Sequence, residues 1–531
     1  MPALPKLSDR TLPAAFERAL SGGADRPALI ADGVTWTYRQ WHARALRLAA
    51  GLRDLGVSRG DPVALLLDNS ADFVHAFSAT GLMGAVEVPV NTAYKGRFLT
   101  HVLNDSGARV LIVEEACCAR LAAVASELTA LETVIVRGGD GSALPDGRWR
   151  VLRFDALDAC APMSPRPRDP ADLMAFMYTS GTTGPSKGVL VSHAHAYTYA
   201  SREDQELPRD DDRILVTLPL FHLAGQWYGV YQSLIHQACC VLEPRFSPGR
   251  FWSSVRENGV TCTTLLGAMA ELLQQQPVSD DDADNPLRLA VMAPLASDVP
   301  AFRDRFGIDV AAVYGMSEIG AVMNGPPRTI VGGEAGFGRE EYELAVVDER
   351  GDAVPTGEVG ELRVRGLLPH ITMTGYHDLP EKTEQTIRDG WIRTGDAFRQ
   401  DDQGRFYFVD RLKDALRRRG ENVSSFEVES VVNEHPSVFE SAVVGVPSEF
   451  TEDEIKVVVV AREGEDVDPV ELTRFLVDRL PYFMVPRYVE HVAELPKTPT
   501  QKVQKNVLRE SGVHGAVWDR EAAGIELRRG D

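Results

Sequence analysis

The sequence predicts an α/β protein: a large N-terminal domain of helix-covered, largely parallel sheets with a small β-rich module, then a small α+β C-terminal domain. Three observations predict it. At 531 residues the chain is too long for one ordinary domain and long enough for several sizeable cores. Over about the first three-fifths, short β-rich runs alternate with helical patterns, as in a parallel sheet covered by crossover helices. The texture changes near Tyr342 and again after the stretch that begins at Arg405.

The elements justify this in order. "WTYRQWHARALRLAAGLRDLGV" reads as a helix, with Ala45, Leu48, Leu52 and Leu55 on one stripe and Gly56 as the stop. "DPVALLLDN" and "ARVLIVEE" read as buried strands. "YELAVVDERGDAVPTGEVGELRVRG" has strands broken by Gly and Pro turns, the β-rich module. Beyond it, Ser424 and Glu427 fit a capping box, with Val428, Val431 and Val432 on one helical face. Asp468 is placed as N-cap of "PVELTRFLVDRL", with Pro469 in its first turn. "SAVVGVP" and "EIKVVVVA" are strands between those helices. The expected division is residues 1–410, a hinge at 411–413, and a C-terminal domain at 414–531.

Composition narrows the function. Hydrophobic residues make up 44% and charged residues 25%, within the range of a soluble globular protein. A formal net charge of −21 argues against nucleic acid or an anionic membrane as main partner. No signal-peptide pattern opens the chain, and the apolar run Ala76–Val90 is too short for a membrane span and contains Glu87. Six cysteines without C-x-x-C spacing read as reduced thiols, and the expected location is cytoplasmic. The acidic runs "SDDDAD" and "RDDDR" read as solvated loops.

"MYTSGTTGPSKGVLVSH" carries the chemistry. It fails the G-x-x-x-x-G-K-[ST] spacing, because Lys187 follows Ser186. Gly181 and Gly184 still allow close backbone approach, and the hydroxyls of Thr179, Ser180, Thr182, Thr183 and Ser186 can donate to phosphate oxygens. The loop resembles the signature loop of the adenylate-forming superfamily, which includes acyl-CoA synthetases. "PLFH" (Pro219–His222), "YGMSE" (Tyr314–Glu318), "TGD" (Thr394–Asp396), "DRLKD" (Asp410–Asp414) and "PKTPTQK" (Pro496–Lys502) follow in the family's order, and the resemblance runs from about Tyr38 to Leu508. The wording of "KDALRRRGENVSSFEVE" is similar to the carnitine/crotonobetaine-CoA ligase branch.

The resemblance implies a two-step ligase that uses ATP, Mg²⁺ and coenzyme A on a small-molecule carboxylic acid. Thr179, His222, Glu318 and Lys502 would be the catalytic set, with Glu318 as metal ligand. Nucleotide would be held by Thr179–Gly184 and Lys187, Ala293 and Pro294, Tyr314 to Ser317 (through Gly315 and Met316), Asp396, Phe408, Arg411 and Lys502. His222, Trp227, Gly267, Gly315 and Met316 would line the acyl pocket, which suits a small or medium acid, aromatic or branched. Lys413 would be the hinge of a mobile C-terminal domain, and Arg418, Arg419 and Gly420 would meet coenzyme A. His222 in place of the Asp of amino-acid-activating relatives disfavours an amino acid substrate.

The residues also support plainer readings. His222 and Trp227 can be core side chains, and Arg417–Arg419 a solvated face. Two positions depart from the family pattern: Gln501 stands where a Gly precedes the lysine, and Met292 replaces a Gly. They leave open an alternative, an adenylate-forming enzyme that activates nitrite for diazotising an aryl amine or passes its acyl group to a non-CoA acceptor. A protein that only binds nucleotide is a third reading, and the oligomeric state is open, a homodimer included.

Overall fold

The structure is a computed structural model that describes residues 5–179, 186–201, 208–296, 298–328, 330, 332–412, 416–418, 421–423, 425–447, 453–480, 482, 484–498, 502–525 and 527. The chain divides into two compact units, Met1–Glu343 with Val364–Ile392, and Leu344–Arg363 with Arg393–Asp531.

The first unit contains two sheets. In one, Val86–Pro89, Pro62–Leu66, Val110–Glu114, Thr133–Arg137 and Arg150–Arg153 run parallel. Leu173–Thr179 joins beside Val86–Pro89, and Lys187–Ser192 returns antiparallel to it. Gly375–Tyr376 closes that edge, with Tyr376 opposite Val189. In the other sheet, Pro27–Ala31, Cys239–Leu242, Arg213–Val216, Cys262–Leu265, Leu289–Met292 and Asp309–Met316 are parallel neighbours. Gly320–Gly325 then turns back antiparallel. Strands buried on both faces read as unbroken apolar runs, which is why "PVALL" and "VLIVE" were legible.

The first long helix spans Tyr38–Asp54 and buries Ala45, Leu48 and Leu52. Trp36 and Thr37 belong to the strand Val34–Thr37 instead, and Thr37 caps the helix. Its hydroxyl accepts from Gln40 N at 3.2 Å, while the Gln40 side chain accepts from Thr37 N at 2.9 Å, a reciprocal box that stops the helix from starting earlier. The apolar run after Ser70 is the helix Ala71–Met83, buried on every side, followed by the strand that contains Glu87. The run "RDDDR" is not wholly solvated. Asp212 is buried, bonded by Arg288 at 2.6 Å and by Thr261 at 2.7 Å.

In the second unit lie most of the strands Tyr342–Val347, Gly360–Gly366 and Trp391–Gln400, and all of Phe406–Arg411, neighbours in that order. A separate sheet of Val438–Pro447, Asp453–Ala461, Tyr488–His491 and Trp518–Asp519 follows. Against one face, Val428 and Val432 of the helix Ser425–Asn433 and Leu472 and Leu476 of Pro469–Val477 pack on Val443, Ile455 and Val457. Against the other, Leu508 of the helix Lys505–Glu510 packs with Ala442, Val444 and Val458. Asp468 accepts from Val470 N at 2.9 Å, as its N-cap position requires. Ser424 and the Glu427 side chain lie outside the described residues. Among the described residues no helix is long and apolar enough to cross a membrane, and the six cysteines form no disulfide.

Candidate active site

Thr179 and Lys187 are register partners at the ends of two antiparallel strands, so the hairpin presents both at its mouth. Ser180, Gly181, Thr182, Thr183 and Gly184, which join them, lie outside the described residues. The neighbouring backbone is braced: His101 Nε2 lies 2.7 Å from Ser186 O, and the Tyr178 hydroxyl donates to Asp105 Oδ2 at 2.6 Å.

The Lys187 ammonium sits 5.1 Å from the centre of the Tyr376 ring. The hydroxyl of Tyr376 donates to Glu318 Oε1 at 3.0 Å. Burial, then the nearby charge of Glu318, pushes the Tyr376 phenol up, so it stays a donor. Burial lowers the Lys187 pKa, the Lys382 charge adds to this, and Glu318 opposes it. A half-buried cation with a like charge nearby has a strong demand for an anion. Tyr376 and Lys382 are absent from the sequence-derived site. "TGYHDLPEKT" carries no charge spacing that would mark them, and Tyr376 reaches Glu318 only because the edge strand Gly375–Tyr376 brings it there.

Glu318 sits in a tight reversal. Gly315 pairs with Ala321 and Met316 with Gly320, and a Cβ on Gly315 would lie 2.4 Å from Gly320 O. No side chain fits there, so the backbone between Tyr314 and Met316 is bare. Tyr314, Met316, Ser317 and Glu318 are all half-buried, and the Glu318 carbonyl accepts from Met373 N at 2.9 Å. Gly267 lies against the Pro294–Leu295 backbone: a Cβ there would approach Leu295 O to 2.7 Å. Met292, the departure from the family pattern, is buried in the core with Leu265 and Ala312, so its bulk is accommodated away from the surface.

His222 is exposed, and its Nδ1 accepts from Ala224 N at 3.3 Å, so it is not a core histidine. Trp227 is fully buried within the π-helical turn Gln226–Tyr231 and stands edge-on to Tyr199, with 6.1 Å between ring centres. The residue before it, Gln226, donates to both carboxylate oxygens of Glu87 at 2.6 and 2.7 Å. Burial pushes the Glu87 carboxyl up to about 8, against the lowering effect of Gln226. In the sequence Glu87 stands out only as a charge that breaks an apolar run.

In the second unit, Asp396 and Arg411 face each other across neighbouring strands, with Arg411 Nε 3.6 Å from Asp396 Oδ1. Asp396 is buried, and its N–H donates to Thr394 Oγ1 at 3.1 Å. Phe408 stands edge-on to Phe398 and Phe426. Lys502 is exposed, on a turn held by Thr498 N donating to Lys502 O at 2.7 Å and Lys502 N to Thr498 Oγ1 at 3.1 Å. Arg418 itself departs from both sequence readings of its run. It is buried, donates to Val485 O at 3.0 Å and pairs with Glu454 at 2.9 Å, so it is neither solvated nor turned toward a dissolved phosphate. Lys413, Arg419, Gly420 and Gln501 lie outside the described residues.

The AMP-binding enzyme family model matches residues 16–377, and that of the AMP-binding enzyme C-terminal domain matches 427–502. The fatty acid–[acyl-carrier-protein] ligase ScoC of Streptomyces coeruleorubidus is 31% identical over 91% of this chain and 93% of its own. The crotonobetaine/carnitine–CoA ligase of Salmonella typhi is 29% identical over 91% of this chain and 96% of its own. Among solved structures, the anthranilate CoA ligase AuaEII in complex with anthranoyl-AMP is similar with a TM-score of 0.86 and 27% identity, covering 96% of this chain and 98% of that one.

Proposed function

The chain belongs to the AMP-binding enzyme family, and on that premise we propose that it is an ATP-dependent acid–CoA ligase. A carboxylate oxygen of the acid attacks the α-phosphorus of ATP, the bond from that phosphorus to the β-phosphate's bridging oxygen breaks, and pyrophosphate leaves. The coenzyme A thiolate then attacks the acyl carbon, and AMP departs with the bonding pair.

The observation that carries this reading is the Lys187–Tyr376–Glu318 cluster. An acid and a polyphosphate are both anions, so the site must supply positive charge and fixed donors where they meet. Lys187, at the mouth of the glycine-rich hairpin, would take a leaving phosphate. Glu318, a half-buried carboxylate aimed by Tyr376, offers the hard oxygen that Mg²⁺ prefers. A magnesium ion there would neutralise phosphate charge. Asp396, an acceptor once ionised, would take the ribose hydroxyls beside Arg411. Lys502 would bridge the acid and the α-phosphate. Trp227, if it walls the acyl pocket, favours a small or medium acid, and AuaEII, bound to an aromatic acyl-AMP, is consistent with an aromatic one.

A second acceptor has one observation in its favour: the relative ScoC is named for transfer to an acyl-carrier protein. A pyrophosphate-release screen over a carboxylic-acid panel separates these readings, run with coenzyme A, with a phosphopantetheinylated carrier protein, and with nitrite plus aryl amines. Acid-dependent release and a CoA thioester by mass are expected. A thioester on the carrier protein alone moves the acceptor. Release with nitrite alone, or none with any acid, overturns the proposal.

A further inference from the structure

A second lysine stands three residues beyond Lys502, and it is held very differently. Lys505 opens the helix Lys505–Glu510, with its side chain largely buried. Its ammonium donates to Ser425 Oγ at 2.5 Å and pairs with Glu429 Oε1 at 2.7 Å. The Ser425 hydroxyl has one proton and gives it to Asp410 Oδ2 at 2.6 Å, so toward Lys505 it is an acceptor. The same Asp410 oxygen accepts from Ser425 N at 2.7 Å, and Asp410 Oδ1 accepts from Arg411 N at 2.7 Å. Glu429 Oε1 also accepts from Val443 N at 2.6 Å. One ammonium thus joins two carboxylates, directly and through a hydroxyl, and ties together the end of Phe406–Arg411, the start of Ser425–Asn433 and the start of Lys505–Glu510.

Lys502 lies on the turn that feeds this helix. Lys497 bridges Val503, Gln504 N donates to Pro496 O at 2.7 Å, and Thr498 holds Lys502 by its backbone. The described residues of the turn are thus tied to one another, and they join the rest of the second unit by the Lys497–Glu440 pair at 2.5 Å, by Val503 packed against the core of Ala442 and Val444, and by the helix that follows. Leu508 fixes that helix by apolar contact, which permits sliding. The Lys505 bonds fix its direction and register.

We propose that Lys505 is a positioning residue for Lys502, anchoring the lysine turn to the Asp410–Ser425 junction so that the exposed ammonium is delivered at a fixed place. The inference rests on the adenylation role proposed for Lys502. Displacing a reacting group by about 1 Å costs on the order of 10²-fold in rate. Lys505→Met in the full-length chain should therefore lower kcat for acid-dependent pyrophosphate release by about 10–100-fold with KM for ATP little changed. Lys505→Arg should retain most of the rate. In a Lys502→Ala background the Lys505→Met change should have no further effect, because the group it positions is gone. Hydrogen exchange of the 496–504 segment, measured without substrate, should rise in Lys505→Met and not in Lys505→Arg.

An unchanged kcat in folded Lys505→Met, an equal loss in the Lys502→Ala background, or unchanged exchange of 496–504 would overturn the proposal. If Lys505→Met does not fold, Ser425→Ala, which breaks the link to Asp410 while leaving the cation, carries the same measurements. If no acid releases pyrophosphate from the wild type, the activity reading fails, and the exchange measurement still decides the anchoring.

Discussion

Lys187 and Lys502, the two lysines proposed to serve the reaction, are kept very differently. Lys187 is half-buried against an aromatic ring and has its pKa lowered by burial, whereas Lys502 is exposed on a braced turn. On the proposed roles, a group already beside its phosphate would contribute to binding, while one delivered from a turn would contribute to the step. Lys502→Ala should slow acyl-AMP formation by about 10²–10³-fold, about 2.7–4 kcal/mol, the scale for one preorganised donor. ATP binding should persist. Pre-steady-state pyrophosphate release beside an ATP titration checks both, and unchanged release would remove Lys502 from the mechanism. Glu318 and Asp396 stand out as candidates in the sequence because their motifs are local. Tyr376 does not: its hydroxyl acquires a role only from a partner 58 positions away. Arg418 misled for the same reason, since a run of arginines reads as surface until Glu454 and Val485 enclose one of them.

At the scale of the element, local rules were readable and burial was not. Asp468 caps as its spacing implies, because a cap needs only the next three residues, whereas Thr37, read as part of the helix, caps it instead. Glu87 lies in a strand that the sequence marks as apolar, and its partner Gln226 arrives from the other sheet's side of the unit, 139 positions on. The folded chain holds the Glu87 proton from the usual 4.5 up to about 8, while the unfolded chain releases it near 4.5. The associated stability is fully present below the unfolded value and is lost as pH rises through about 8, at a slope of up to about 1.4 kcal/mol per pH unit. Glu87→Gln keeps the shape and removes the titration. Its urea midpoint should vary less with pH than the wild type's between pH 5 and 8, on the linkage argument. Equal pH dependence in both proteins would show that Glu87 is already ionised.

At the scale of the whole molecule, alternation of strands and helices was enough to specify parallel sheets, but the parallel pairing ends at Asp309–Met316, ahead of the change of texture near Tyr342. The grouping of the strands between Tyr342 and Arg411 with the C-terminal residues was not readable, because it depends on which neighbours they contact rather than on their own pattern. The proposed two steps would also have the chain change state between them. Lys413→Pro, which fixes φ at the proposed hinge, should leave acyl-AMP formation intact and stop thioester formation. Quantifying both products by mass in one reaction tests this, and normal thioester turnover would place the hinge elsewhere.

The Tyr376–Glu318 hydrogen bond has a consequence for how the protein fails. Tyr376 belongs to the edge of one sheet of the first unit, and Glu318 to the reversal that ends a strand of the other. The bond is a gauge of the spacing between two independently paired ladders. A slide of one against the other opens it before any strand pairing is lost. Loss of activity should therefore run ahead of loss of secondary structure as urea rises, and an inactive preparation with an intact far-ultraviolet spectrum would be one whose sheets have drifted apart, not one that has unfolded.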